Sequence, residues 1–216
     1  MEKKFILTDK FVINSFGIKL FQIKCTKSFK YAQKGDFGGY VEKEGNLDQK
    51  NDAWVSDNAR VSGDAWVSGD ARVSGDAWVS GDAWVSGNAW VSGDAWVSGD
   101  AWVSGNAWVS GDARVSGDAR VSGDARVSGN AWVSGDADIE NDNEHCGFDG
   151  FGSCNRHTHA YMTKEKKVEI ICGCFRGSIE EFEKKVEETH SGTVYEKQYK
   201  SIINVIKIKF GLTDFT

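Results

Sequence analysis

Thiol and imidazole side chains are concentrated in one short part of this 216-residue chain. Both groups bind Zn²⁺ well, and three or four of them brought together would form a metal site. Their spacing matches no standard zinc finger or zinc ribbon, and Cys172 and Cys174 could equally be small apolar residues on one strand face. The sequence therefore predicts no metal and no cofactor. The candidate ligands are His145, Cys146, Cys154, His157, His159, Cys172 and Cys174.

Tryptophan and arginine recur at six-residue intervals through the middle of the chain. Both are favoured in hot spots of protein interfaces, and several adjoining exposed tryptophans exceed what a monomer usually tolerates. They predict a protein-binding surface and a homo-oligomer, either a dimer or a trimer. The alternative is that the rings, copied by repeat expansion, stack on one another and on arginine and only stiffen the fold. The predicted binding residues are Trp66, Trp78, Trp84, Trp90, Trp96, Trp102, Trp108 and Arg120.

These side chains belong to an uninterrupted internal repeat. From Asn51 to Glu140 the chain consists of fifteen six-residue units, most often Gly-Asp-Ala-Trp-Val-Ser or Gly-Asp-Ala-Arg-Val-Ser. Because side chains alternate along a strand, the valine and the alanine two places before it point inward, and the residue between them points outward. Ser-Gly-Asp and Ser-Gly-Asn supply corners, where glycine and Asn or Asp tolerate left-handed dihedral angles. Each unit is therefore predicted to form one short strand and one corner.

Three such sides close a triangular coil, so the fifteen units predict five coils and roughly 24 Å of solenoid. The unit Gly45 to Lys50 leads into the first coil, with Leu47 expected in the alanine position. Outward residues one coil apart should stack in three ladders. The first face carries Trp54, Arg72, Trp90, Trp108 and Arg126, the second Arg60, Trp78, Trp96, Arg114 and Trp132, and the third Trp66, Trp84, Trp102, Arg120 and Asp138.

The pattern of an aliphatic residue followed four places later by a small one, as in Val67 and Ala71, resembles the hexapeptide-repeat family. That resemblance covers the central ninety residues and implies a mainly β fold, a left-handed parallel β-helix. Serine commonly follows the aliphatic residue here, where the family often has glycine. The family includes trimeric acyltransferases that use acyl-coenzyme A, which gives one alternative function.

Acyl transfer would need a general base, usually histidine, beside a pocket between coils. All four histidines, His145, His157, His159 and His190, lie outside the repeats, and no loop interrupts the coils. We therefore expect no enzymatic activity. A nucleotide-binding sponge, in which tryptophan and arginine stack bases in a groove between protomers, is a second alternative.

The segments on either side of the repeats should cover the open ends of the solenoid, because exposed strand edges invite aggregation. Residues 1–44 are expected to form an N-terminal β cap, with a hairpin turn at Asn14 to Gly17 between two apolar stretches. The β-helix should span 45–140, and 141–216 should form a C-terminal α+β domain. In that domain Val168 to Phe175 reads as one strand, paired with Thr158 to Thr163.

Two helices are predicted after that strand. Ser178 and Glu181 form a capping box at the start of the first, and Ile179, Phe182 and Val186 fall on one of its faces. The second helix is outlined by Tyr195, Tyr199, Ile202, Ile206 and Phe210, and should end before Gly211.

Two further stretches resemble uncharacterised hexapeptide-repeat proteins of bacteriophages and prophages. They are Gly-Asp-Phe-Gly-Gly-Tyr-Val-Glu before the first coil and Cys-Gly-Cys-Phe-Arg-Gly-Ser-Ile-Glu-Glu-Phe in the C-terminal domain. The resemblance implies a phage accessory protein that acts on host defences. We therefore expect a non-enzymatic scaffold that binds and inhibits a host protein complex through its Trp/Arg faces and its C-terminal domain.

Charge and composition narrow the possible partners and compartment. The net charge is −6, and residues 51–140 contain fourteen acidic residues against five arginines. Duplex nucleic acid is not expected as a partner, because its phosphates require Lys and Arg clusters. Asp64, Asp82 and Asp100 could imitate phosphates, although corner chemistry alone explains them. No signal peptide or apolar span is recognisable and the five cysteines suit reduced thiols, so we expect a cytoplasmic protein that does not bind membranes.

Overall fold

The computed structural model describes residues 3–212. Three N-terminal strands, β1 (Phe5–Ile13), β2 (Lys19–Cys25) and β3 (Phe37–Val41), are followed by a 3-10 helix, Glu44–Asn46. Fifteen two-residue strands then form the solenoid: β4 (Trp54–Val55), β5 (Arg60–Val61), β6 (Trp66–Val67), β7 (Arg72–Val73), β8 (Trp78–Val79), β9 (Trp84–Val85), β10 (Trp90–Val91), β11 (Trp96–Val97), β12 (Trp102–Val103), β13 (Trp108–Val109), β14 (Arg114–Val115), β15 (Arg120–Val121), β16 (Arg126–Val127), β17 (Trp132–Val133) and β18 (Asp138–Ile139).

The C-terminal domain contains four strands and two helices. These are β19 (His145–Phe151), β20 (Arg156–Met162), β21 (Val168–Cys172), β22 (Phe175–Ser178), α1 (Ile179–His190) and α2 (Val194–Lys209). Among the described residues, no helix is long and apolar enough to cross a membrane.

The short strands stack in parallel on three faces, as the repeat predicts. The first face has the order β4-β7-β10-β13-β16, the second β5-β8-β11-β14-β17 and the third β6-β9-β12-β15-β18. The inward valines are fully buried, and the inward alanines nearly so, which gives a core of alternating small and branched side chains. Backbone bonds such as Trp84 N–H to Ala101 O, 2.9 Å, join each coil to the next. The three predicted ladders are confirmed.

The solenoid has about six turns, where the sequence predicted five, because the lead-in segment forms one more. Strand β3 pairs in parallel with β5, and Leu47 forms a parallel bridge with Val67. The prediction that Leu47 occupies the alanine position is therefore wrong, since it fills the valine position. Leu47 lies eight residues before Val55, where the repeat spacing is six, and these two extra residues conceal the register of this turn.

The predicted N-terminal hairpin is confirmed, and it extends the second face. Strands β1, β2 and β3 pair antiparallel, and the Asn14 side chain fixes the turn by accepting bonds from the N–H groups of Phe16 (3.0 Å) and Ile18 (2.9 Å). Lys4 closes the base of the solenoid by donating to the carbonyls of Asn51 (2.6 Å) and Ala53 (2.7 Å). Burial lowers the pKa of Lys4 to about 8.

The C-terminal domain covers the other end. Its antiparallel sheet, β19-β20-β21-β22, places β20 over the last coil, where Tyr161 donates to Ser134 O at 3.2 Å. Both helices are confirmed, and the Ser178–Glu181 capping box is present. The strand predicted from Val168 is confirmed as β21, and it pairs with β20 as expected. It ends at Cys172 and not at Phe175, because Gly173 adopts a φ of +61° and turns the chain between β21 and β22. Strand β19 was not predicted.

Candidate interaction surface

Tryptophan side chains on each face stack ring on ring along the solenoid axis. On the third face the ring centroids of Trp66 and Trp84 lie 5.4 Å apart, and those of Trp84 and Trp102 lie 5.3 Å apart. The ring planes of these pairs are inclined by only 11° and 9°. The other faces each carry one such pair, Trp78–Trp96 at 5.3 Å and Trp90–Trp108 at 5.1 Å. Because the π faces contact one another, a partner mainly meets ring edges.

Serine hydroxyls of the preceding coil hold most of these rings in place. In six of the seven stacked tryptophans the indole Nε1–H donates to the Oγ of the serine sixteen residues earlier, as Trp90 does to Ser74 at 2.9 Å. The same bond joins Trp78 to Ser62, Trp84 to Ser68, Trp96 to Ser80, Trp102 to Ser86 and Trp108 to Ser92, at 3.2–3.4 Å. The serine that departs from the hexapeptide pattern therefore fixes the rotamer of a tryptophan one coil away.

Arginine covers one end of two of the tryptophan stacks. The guanidinium of Arg72 lies 4.0 Å from the ring centroid of Trp90, and that of Arg120 lies 5.6 Å from Trp102. Such contacts are cation–π interactions, worth about 0.5–1 kcal/mol at exposed sites. Arg120 therefore ends the stack of three rings on the third face.

The N-terminal cap leaves the third face open and contacts the other two. Phe29 packs edge-on against Trp54 at 5.4 Å, and Phe16 lies 6.0 Å from Trp78. Trp54, expected to point into solvent with the other ladder residues, is only 5% exposed, because the cap covers it. On the third face Trp66, Trp84 and Trp102 are 43%, 40% and 38% exposed.

The eight predicted binding residues consequently do not form one surface. Trp66, Trp84, Trp102 and Arg120 lie together on the third face, while Trp78 and Trp96 are half-buried on the second. Trp90 and Trp108 lie on the first face. The third face is the one on which three tryptophans and an arginine follow one another.

Two different corners border the third face. The corner toward the second face carries Asp64, Asp82, Asp100, Asp118 and Asp136. Only the outer two of these form ion pairs within residues 3–212, Asp64 with Lys43 at 2.5 Å and Asp136 with Lys164 at 3.7 Å. The corner toward the first face carries Asp70, Asn88, Asn106 and Asp124, among which Asn88 donates to Asn106 at 3.1 Å and Asn106 to Asp124 at 2.9 Å. One edge of the third face is therefore strongly acidic.

The histidine and cysteine candidates fall into separate groups in the C-terminal domain. His159 is buried above the last coil, with its Nδ1 atom 2.9 Å from Trp132 O and its Nε2 atom 3.1 Å from His145 Nδ1. Burial lowers the pKa of His159 to about 3 and raises that of Cys146 to about 11. Cys154, Cys172 and Cys174 line a different cavity. Among the described residues, no three His, Cys, Asp or Glu side chains are placed to hold a metal ion.

Comparison with known families adds to the description of the repeats. They are similar to the YdcK beta solenoid repeat. The matched segments are 53–69, 65–81, 71–87, 107–123, 113–127 and 119–135, all within the solenoid. No curated protein matches the chain. The match agrees with the stacked parallel coils.

Proposed function

We propose that this protein is a non-enzymatic scaffold that binds a protein partner through its third face. The observation that supports the proposal is the open stack of Trp66, Trp84 and Trp102, each about two-fifths exposed, ended by Arg120. Tryptophan and arginine dominate the energetics of protein interfaces when a partner covers them.

Rigidity favours binding by this face. Trp84 and Trp102 are each restrained by ring stacking and by a hydrogen bond to serine. Ordering a mobile side chain at an interface costs roughly 0.5–1.5 kcal/mol, and side chains already held in one rotamer avoid much of that cost. A partner can therefore use the apolar surface of the rings with little loss of conformational entropy.

The charge beside the rings suggests the chemistry of the partner. Asp82, Asp100 and Asp118 form no ion pair in the described part of the chain, and they run along one edge of the third face. Complementary charge speeds encounter and fixes register in protein complexes. The proposed partner surface therefore places Lys or Arg side chains opposite the aspartates and apolar side chains opposite the indole edges.

The family resemblances extend this proposal. The extended proposal is that the coil is left-handed and that the protein is phage-encoded, acts in the bacterial cytoplasm and forms a homo-oligomer. It also includes inhibition of a host defence complex. The support for these extensions is the hexapeptide pattern, the two phage-like stretches and the exposed aromatic surface.

The spacing of the stacked indoles leaves no room for a nucleotide base between two rings of one ladder. Neighbouring indole centroids are 5.1–5.4 Å apart, close to the strand spacing of about 4.8 Å. A base inserted between two rings would roughly double their separation, and the backbone ladder prevents such an expansion. This spacing limits insertion within one ladder and not stacking in a groove between protomers. Acyl transfer has no histidine within the repeats to serve as its general base.

Affinity capture from bacterial lysate with mass spectrometry tests the proposal. The bait proteins are the wild type, a Trp84→Ser/Trp102→Ser variant of the third face, and a Trp90→Ser/Trp108→Ser variant as a matched control. The control removes an equivalent stacked pair from the first face. A partner retained by the wild type and the control but lost by the third-face variant is expected.

Two further measurements test the role of the aspartates and the folding of the variants. An Asp82→Asn/Asp100→Asn/Asp118→Asn variant should slow association with the purified partner, most strongly at low salt. Circular dichroism of every variant checks that the solenoid remains folded. Equal capture by all three bait proteins would contradict the proposal, as would a partner whose binding is independent of these aspartates.

A further inference from the structure

A cavity of about 280 Å³ opens in the C-terminal domain, away from the three faces of the solenoid. It lies between one end of the four-stranded sheet and the two helices. Its size is near the lower limit of small-molecule sites in proteins. The proposed binding face does not involve it.

Aromatic and aliphatic side chains form the floor of this cavity. The rings of Phe175 and Phe182 lie 5.0 Å apart, and Phe182 packs edge-on against Tyr199 at 5.6 Å. Phe182 and Val186 are only 3% and 2% exposed, so neighbouring side chains hold the floor in place. The floor is therefore fixed and apolar, and the half-buried ring of Phe175 is its more accessible part.

Two cations, Arg156 and Lys185, line the same cavity, and no Asp or Glu does. Within the described residues Arg156 forms no ion pair, and Lys185 has only a 3.8 Å contact with Glu188 at the surface. Residues 51–140 carry a net charge of −9 (fourteen acidic residues against five arginines) and the rest of the chain +3, so the cavity lies outside the part of the protein that makes the net charge −6. An anion would be attracted to it.

The backbone leaves room for the Arg156 guanidinium. Gly173 has a φ of +61°, and a Cβ atom there would lie 2.6 Å from Nη1 of Arg156. Any larger residue would displace the guanidinium. The turn between β21 and β22 therefore leaves space for the Arg156 side chain, which lines both this cavity and a neighbouring one that Gly173 borders.

We propose that this cavity binds a small aromatic carboxylate. The aromatic body contacts the floor formed by Phe175, Phe182 and Val186, and the carboxylate accepts hydrogen bonds from Arg156 and Lys185. Charge-assisted bonds of this kind are about twice as strong as neutral ones, and arginine can form two in parallel to a carboxylate. No covalent step is involved.

The test uses 2-naphthoate and its neutral analogue 2-naphthamide, which have nearly the same shape. Each is titrated into the ¹⁵N-labelled full-length protein and followed by NMR. Saturable binding of 2-naphthoate with shift changes in 153–156, 172–175 and 182–190 is expected, with an affinity about tenfold above that of the amide. Equal affinity for the two compounds, shift changes confined to the solenoid tryptophans, or no saturation would overturn the proposal.

Single substitutions test which cationic side chains bind the carboxylate. Arg156→Gln and Lys185→Gln should each weaken 2-naphthoate binding by about tenfold and leave 2-naphthamide binding unchanged. Lys184→Gln is the matched control, because Lys184 precedes Lys185 on the same helix and does not line the cavity. Equal weakening by Lys184→Gln would show general electrostatic attraction and overturn the assignment of these two residues.

Discussion

Mild acid should destabilise the junction between the solenoid and the C-terminal domain through one buried imidazole. His159 is 1% exposed, and burial lowers its pKa from the ordinary 6.5 to about 3. Its Nδ1–H can donate to Trp132 O, and its other nitrogen faces His145. The ring of His157 lies 5.7 Å away and that of Tyr161 5.8 Å away. None of these neighbours supplies a negative charge that would stabilise an imidazolium.

The sign and size of the effect follow from proton linkage. Between pH 6.5 and pH 3 the unfolded chain protonates this histidine and the native protein does not, so stability falls as the pH falls. Because pH 5 lies well above the pKa of His159 in the native protein, the size of the loss in stability depends on protonation of the unfolded chain alone. From pH 7 to pH 5 His159 should therefore reduce the free energy of unfolding by about 2 kcal/mol.

Urea unfolding at pH 7 and pH 5 measures this loss. His159→Asn removes the titrating group, while its amide can still donate toward Trp132 O, so the variant should lose about 2 kcal/mol less than the wild type. His190→Asn, at the end of α1, is the matched control. In wild-type NMR spectra the His159 ring signals should stay constant from pH 8 to pH 5. Equal losses in wild type and His159→Asn, or a His159 titration near its ordinary pKa, would refute the reasoning.

Three stability predictions concern the solenoid itself and are checked by urea unfolding. Gly99→Ala should reduce the free energy of unfolding by about 1–3 kcal/mol more than Gly129→Ala does. Both glycines have a positive φ, but only at Gly99 would an added Cβ meet the next coil, 2.9 Å from a backbone nitrogen. Equal losses in the two variants would contradict this. Ser74→Ala should cost about 0.5–1.5 kcal/mol by freeing the Trp90 indole, and an unchanged stability would argue against the bond. Val103→Ala should cost about 2–3 kcal/mol through a cavity in the fully buried core, and a neutral result would indicate a loosely packed column.

The repeat made most of the solenoid predictable. Because Ala and Val alternate strictly with Trp or Arg, each strand has one set of inward residues and one set of outward residues. The three ladders then follow from the eighteen-residue spacing of the outward residues. The position of Leu47 was predicted wrongly because a leucine fits either inward position, and because eight residues instead of six separate it from Val55. The burial of Trp54 depends on Phe29, which lies outside the repeat and reaches it only in the folded chain.

Features that depend on side-chain orientation could not be read from the sequence. The serine after valine was visible as a departure from the hexapeptide pattern, but its bond to an indole depends on the direction in which that ring lies. Strand β19 contains Gly147, Asp149 and Gly150, which favour turns. Gly147 is nevertheless paired with His159 of β20, while Asp149 and Gly150 lie at a register shift between Phe148 and Phe151. Arg156 and Lys185 come together only because the sheet and α1 pack against each other.

Because the six-residue repeat is uninterrupted, the number of repeats determines the angle and the distance between the two ends of the solenoid. Each unit is one side of a three-sided coil, so a duplicated or lost unit would turn the C-terminal domain by about 120° about the solenoid axis and shift it by about 1.6 Å. Gain of three units would restore the angle and lengthen the solenoid by about 4.8 Å. Unequal recombination within the repeats can therefore change the angle and distance between the two ends in fixed steps, with the core of each coil unaltered.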